Sequence, residues 1–348
     1  MTDFTHDAQD AQPPLPTSRV LAYLARQWRR RPVMFAVMAI FSALGTVADV
    51  FIPVAAGQLV DALASAPEDR SEAGHWLAYL IFISAALAVA GFRQAGIRCE
   101  MRFSTANMAD IVSEAFAKVQ RFSLDWHANT FAGSIVRKVT RGMWAYDSAT
   151  AMLWFGVIPS VSVMVGLCIY MLFTWPFVGL YALTIVIGFM IGSIWLSVNY
   201  VRPQNIRSNT LDSELGGAVA DSIGSIATVK SFGAEARELD RFRDLAWRWR
   251  EQAKRTWLRF ANVWLFQQAC VFALQAGLTG FLISMWQRGE ATPGAVVFAI
   301  TAFLTMAGYM RRFGDEVQQV QRGLDEMQDL ARFEQTPEQV ADARFAPA

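Results

Sequence analysis

VRPQNIRSNTLDSELGGAVADSIGSIATVKSFGAEARELDRF, from Val201 to Phe242, opens a polar stretch that continues to Arg259 and decides how the chain is read. Strongly apolar segments flank it on both sides, yet it carries eleven of the 31 Lys and Arg residues. Leu211, Leu215, Val219, Ile223, Ile226 and Val229 recur every three or four positions, the mark of an amphipathic helix. A polar segment of this length between two membrane spans is no simple turn. Two antiparallel helices filling it would stand about 35–40 Å clear of a bilayer at 1.5 Å per residue. Such a projection is built to be gripped by something outside the membrane.

Composition supports a membrane setting. Hydrophobic residues make up 54% and charged residues 18%, against roughly 45–50% and 25% in a soluble domain. The apolar excess falls in windows of about 20 residues with few charges, the length that crosses a bilayer. A net charge of +1 gives no reason to expect a nucleic-acid partner. Cys99, Cys168 and Cys270 are odd in number, scattered at or near apolar windows and without CxxC spacing, so they read as small apolar residues. His6, His75 and His127 are far apart in sequence, so no metal site is expected.

Residues 1–17 are polar, Pro-containing and expected to be disordered. They open with acids and no apolar core follows a basic start, so they do not read as a secretory signal. Residues 18–31 read as a short elbow helix on the membrane surface, capped by Ser18 and ending in Arg29, Arg30 and Arg31 at the bilayer edge. Six spans follow, near 32–60, 76–96, 145–174, 176–200, 257–286 and 293–310, in a transmembrane domain over residues 32–330. Pro53 and Pro159 are expected to bend the first and third.

Basic residues set the orientation. Five precede the first span, eight lie from Arg93 to the third span, eleven lie in the fourth connection and five follow the sixth span. The other side holds Arg70 and Arg288, with Asp61, Glu68, Asp69, Glu72 and Glu290 around them. The N-terminus, both long connections and the C-terminus are therefore expected in the cytoplasm, in a plasma (bacterial inner) membrane. The second and fourth connections are long but helical in pattern, so spans two to five should run on into the cytoplasm. The fold class expected is an all-α membrane protein of six transmembrane helices with long cytoplasmic helical extensions.

In the first long connection, RFSLDWHANTFAGSIVRKV (Arg121 to Val139), the residues Asp125, Asn129, Thr130 and Gly133 break the helical pattern briefly. Alone, this is a helix–turn–helix tip with a basic flank, and a solvated turn fits as well as a functional one. In the second, Ala220-Asp221-Ser222-Ile223-Gly224-Ser225-Ile226-Ala227-Thr228-Val229-Lys230-Ser231-Phe232-Gly233-Ala234-Glu235 resembles the second intracellular loop of ATP-binding-cassette exporters. Those loops carry an acid, a small residue near a Gly, and then Val-Lys-(small)-Phe-x-x-Glu. The first connection resembles their first intracellular loop. Together with six spans and a cytoplasmic N-terminus, the resemblance covers residues 18–342.

That resemblance implies a first coupling helix of Asp125, Trp126, His127, Ala128, Asn129, Thr130 and Phe131. It implies a second of Val219, Ala220, Asp221, Ser222, Ile223, Gly224, Ser225 and Ile226. Each would sit in a groove of a nucleotide-binding domain. Asp221 stands where the family usually has Glu, and Gly224 comes one place earlier than the common pattern. Six spans are half of the twelve around the family's pathway, so a second copy, in a homodimer, is implied, together with Mg-ATP held by a nucleotide-binding domain. Lys118, Lys138, Lys230 and Lys254 each lack a preceding Gly, so no GxxxxGK[ST] phosphate loop is present and no ATP hydrolysis is expected of residues 1–348 themselves. No cofactor is expected in this chain. Phe313, Val317, Val320, Leu324, Met327 and Leu330 extend the sixth span as an amphipathic helix. Residues 331–348, with Thr336-Pro337-Glu338 and Asp342, resemble the connector to a nucleotide-binding domain expected in the same full-length polypeptide.

Polar residues inside spans are costly and point to function. Asp49, Gln267, Gln268 and Gln275 are the candidates for a substrate cavity. The alternatives are that Asp49 meets water near the external end and that the glutamines bond neighbouring helices. A rival class, a membrane scaffold or an intramembrane enzyme, needs clustered His, Asp, Glu or Cys within the spans if it is catalytic, and the sequence offers no such cluster.

Overall fold

The computed structural model describes residues 15–65, 72–128 and 132–336. Asn129, Thr130, Phe131, Glu68, Asp69, Arg70 and the connector beyond Thr336 lie outside them. In chain order the helices are α1 (Thr17–Arg29), α2 (Pro32–Ala64), α3 (Glu72–Gln120), α4 (Leu124–Ala128), α5 (Ala132–Met152), α6 (Ile158–Thr174), α7 (Pro176–Trp195), α8 (Arg202–Gly224), α9 (Ile226–Ser231), α10 (Glu235–Gln287), α11 (Pro293–Glu326) and α12 (Gln328–Gln335). Six helical stretches are long and apolar enough to cross a membrane, and no strand occurs among the described residues. The fold is the all-α, six-span architecture expected from the sequence.

Prolines punctuate these helices in two ways. Pro32, Pro176 and Pro293 occupy the first turn of α2, α7 and α11, where a missing N–H breaks no hydrogen bond. Pro159 and Pro203 fall inside longer helical runs, and each follows a π-helical turn, Leu153–Val157 and Leu196–Val201 respectively. A wider turn there relieves the clash between the proline ring and the carbonyl four residues earlier. Helix therefore continues from Ile135 to Thr174 and from Pro176 to Gly224. At 1.5 Å per residue the 49 residues of α3 measure about 73 Å, more than twice the hydrocarbon thickness. It must run well beyond the bilayer.

The chain divides into two compact units, one from Met1–Leu167 with Met285–Ala348 and one from Cys168–Ser284. In the first, α2 and α11 cross at Gly57 and Gly294, where a Cβ on Gly57 would come 2.9 Å from the Gly294 carbonyl oxygen. Small residues allow this approach of backbones. Beside it, Asp61 accepts from the Gly294 N–H at 2.8 Å and from the Thr292 hydroxyl at 3.0 Å, tying the end of α2 to the start of α11. Thr292 itself caps α11 through the Ala295 N–H.

At the other end of this unit, Val20, Tyr23 and Leu24 of α1 join Met108, Ile111, Ala115, Phe122, Ala145, Tyr146, Ala149 and residues of α11–α12 in one apolar cluster. α1 is thus packed on protein, not only laid on a membrane. It begins at Thr17 with Pro16 at the cap position and no side-chain cap bond, so the expected Ser18 cap is not formed. Arg30 binds both Glu114 oxygens at 2.5 and 2.6 Å, Arg31 binds Asp110 at 2.7 Å, and Arg26 binds Glu334. The Glu114 hydrogen bond holds the Arg30 guanidinium above its ordinary pKa, and burial pushes the Tyr23 phenol up.

In the second unit, α7–α8 and α10 are laced by polar contacts around the π turn. Arg259 donates to the Tyr200 carbonyl at 2.6 Å and lies over the Tyr200 ring, 4.5 Å from its centroid. Gln252 reaches the Gln204 side-chain oxygen at 2.6 Å, and Thr256 the Gln204 carbonyl at 3.2 Å. These bonds stabilise the backbone where the widened turn disturbs the normal ladder.

Candidate functional site

The Val-Lys-Ser-Phe-Gly run folds as a locked turn. α9 ends at Ser231, and Gly233 at φ 57° takes the left-handed conformation that glycine adopts most cheaply. The Gly233 N–H binds the Lys230 carbonyl at 3.2 Å and the Ala234 N–H binds the Val229 carbonyl at 3.0 Å, the two bonds of a Schellman cap. Lys230 bridges Glu235 at 2.9 Å across the turn, and Val229 is buried. Three of the motif's residues therefore hold its shape. Phe232 is left 79% exposed, and Val219, Ile223 and Ile226 are exposed as well.

Val219 to Gly224 form the last turns of α8, Ser225 separates the helices, and Ile226 opens α9. The separate short helix of this tip is Ile226–Ser231, which starts at the last residue of the Val219–Ile226 segment picked out in the sequence. Ser225 donates its hydroxyl to the Asp221 carbonyl at 2.7 Å, satisfying the end of α8. Ala220 and Asp221 are exposed, and Ser222 is half-buried.

The other tip is built differently. Ser123 accepts from the Trp126 N–H at 3.2 Å and starts α4. Phe122, buried, lies 4.5 Å from the Trp126 ring and 6.5 Å from that of Phe333 on α12. His127 Nε2 is 3.1 Å from the Val119 carbonyl. Trp126 thus anchors α4, while Leu124, 88% exposed, and Asp125 and His127 face outward. Leu124 escaped the sequence reading because one Leu ahead of a polar turn carries no periodic signal.

Of the polar candidates inside the spans, Asp49 has the richest surroundings. Its Oδ2 accepts from Arg93 Nη2 at 2.6 Å and from the Tyr309 hydroxyl at 2.5 Å, and Arg93 Nη2 is also 3.2 Å from that hydroxyl. The side chains are 12% and 47% exposed for Asp49 and Arg93. Arg312 lies over the Tyr309 ring, 5.1 Å from its centroid. Arg93 is 21 residues into α3, about 31 Å from its start, so Asp49 does not sit by the external loop. Arg93, counted from the sequence with the arginines of the following connection, pairs with Asp49 while about half of its side chain stays exposed.

The glutamines separate. Gln267 is buried with its Nε2 3.4 Å from the Ser193 hydroxyl, whereas Gln268 and Gln275 are exposed. Seven residues apart, these last two lie on one face of α10 with exposed Trp264, Leu265 and Phe272. Near the bundle's polar end, Glu316 accepts from the Ser160 hydroxyl at 2.6 Å, a contact not foreseen from the sequence. No group of His, Cys, Asp and Glu suited to a metal ion occurs among the described residues.

A family model of the ABC transporter transmembrane region matches residues 35–310. The ATM1-type heavy metal exporter of Novosphingobium aromaticivorans is 26% identical over 241 residues, covering 68% of this chain and 39% of that protein. Heavy metal tolerance factor 1 of Caenorhabditis elegans is 24% identical over 298 residues, covering 82% of this chain and 36% of that protein. The chain therefore spans well under half the length of either relative. The solved structure of a bacterial Atm1-family ABC exporter with ATP bound has the same fold, with a TM-score of 0.68 and 22% identity over 92% of this chain and 56% of that one.

Proposed function

The chain belongs to the ABC transporter transmembrane region family, and from that premise we propose that it forms half of the membrane pathway of an ATP-driven exporter. In this reading two copies make the pathway, the termini and both tips lie in the cytoplasm of a bacterial inner membrane, and each tip docks on a nucleotide-binding domain that holds Mg-ATP. That domain does the hydrolysis; residues 1–348 supply pathway and lever. The observation that carries the reading is the exposed apolar and acidic surface around Asp221, Ile223, Ile226 and Phe232 on a turn whose own backbone is fully tied down. Rigid backing with an apolar outer surface is what transmits a push between domains. Two relatives are named for heavy metals, which makes metal-containing cargo the first class to assay.

The test joins a nucleotide-binding domain to the chain and compares wild type with Asp221→Lys in lipid. An exposed substitution changes stability by about 0.5 kcal/mol or less, so thermal melting should be unaltered while cargo-stimulated ATP hydrolysis and transport fall. Normal transport by Asp221→Lys would remove this surface from the coupling path.

A further inference from the structure

We propose that Asp49, Arg93 and Tyr309 form a latch across three membrane helices, and that the latch controls bending of α2 at Pro53. The inference rests on the transport reading only in taking a bend of α2 to be useful in moving cargo. Pro53 has no N–H, so the carbonyl of Asp49, four residues earlier, loses its helical partner. The break in the α2 hydrogen-bond ladder thus falls at the residue whose side chain holds α3 and α11. Beyond Pro53, α2 is fixed to α11 by the Gly57–Gly294 contact and by Asp61 at the start of α11. The outer parts of α2 and α3 border a furrow of about 540 Å³ lined by Phe51, Val54 and Gln58 from one helix and Ile81 and Ser84 from the other. With the latch closed, α3 is held to both other helices at one depth. With it open, α2 and α11 can swing from α3 together.

The chemistry makes the latch two-state. An acid and a guanidinium neutralise each other in an apolar setting where either alone is costly, so partial separation is disfavoured. Arg93 has five N–H donors, of which the contacts to Asp49 and Tyr309 use only Nη2. Its exposed remainder is able to take a new acceptor as Asp49 is released. Arg312 over the Tyr309 ring keeps a second positive charge close to the junction.

Spin labels at Leu63 on α2 and Met101 on α3, both exposed, with Cys99, Cys168 and Cys270 replaced, lie roughly 33 Å apart along the helix axes. Their separation, measured by double electron–electron resonance on chain 1–348 in lipid nanodiscs, should form a single narrow peak. Asp49→Asn and Arg93→Gln should each add a second peak, displaced by more than the width of the first, and the exchange Asp49→Arg with Arg93→Asp should return one peak. Tyr309→Phe deletes one hydroxyl without stranding a charge, and should add the second peak even if a charge-removing variant does not fold. Single peaks in Tyr309→Phe and in the folded charge variants would overturn the proposal, as would two peaks in the exchanged protein. No nucleotide-binding domain takes part, so a failed coupling test leaves this result standing on its own.

Discussion

Single atoms decide the closest contacts in this protein. A Cβ on Gly294 would meet the Gly57 carbonyl oxygen and the Asp61 carboxyl, whereas one on Gly308, further along the same helix, would meet nothing within 4 Å. Overpacking in a tight site costs about 1–3 kcal/mol, while Gly→Ala in an open helix interior gains about 0.5–1 kcal/mol. Gly294→Ala should therefore lower the melting temperature of the purified chain and Gly308→Ala should hold or raise it. Equal melting of the two would mean that α2 and α11 do not touch where the structure brings them together. The same scale explains what the sequence hid. Asp49 was visible as a lone acid in an apolar span, but its partners Arg93 and Tyr309 are 44 and 260 residues away in the chain. Arg93 lies near the end of its apolar window and was counted with the basic residues of the connection that follows it. Only packing reveals that it reaches Asp49 and Tyr309.

Among whole elements, the spans were legible because hydropathy and proline position both mark them. Pro32, Pro176 and Pro293 open helices where a sequence reader would place them, and α3 and α10 run far beyond a bilayer as the periodic extensions implied. The π turns were not legible in the same way. Pro159 announced a disturbance, yet a bend and a widened turn have the same sequence signal. The tip before α10 was half readable. Its motif located the loop, but periodicity ran through Gly224 and Ser225 without showing that α8 ends there. Gly233 after Lys230-Ser231-Phe232 was the available sign of a Schellman cap. A non-glycine residue in its left-handed conformation costs roughly 1–2 kcal/mol. In Gly233→Val, hydrogen exchange at the Gly233 position's N–H and at Ala234 should speed up, with protection of α7 unchanged. Unaltered protection across residues 229–234 would show that the cap does not hold the tip.

For the whole molecule, the central claim is that nucleotide events outside the membrane move these tips in a dimer. That proposal is supported by family membership, by six membrane-length helices, and by a turn that spends Val229, Lys230, Gly233 and Glu235 on its own rigidity while leaving Phe232 exposed. Ser225, exposed between α8 and α9, reports on this directly. With a nucleotide-binding domain joined to the chain, a single spin label at Ser225→Cys, in a background lacking the three native cysteines, reads the distance between the two copies. The account predicts a dipolar signal that establishes the dimer. It predicts a change in that distance when ATP is trapped with vanadate and Mg²⁺, and loss of the change in Asp221→Lys. A label that gives no dipolar signal, or a distance that stays the same with and without trapped nucleotide, would contradict it.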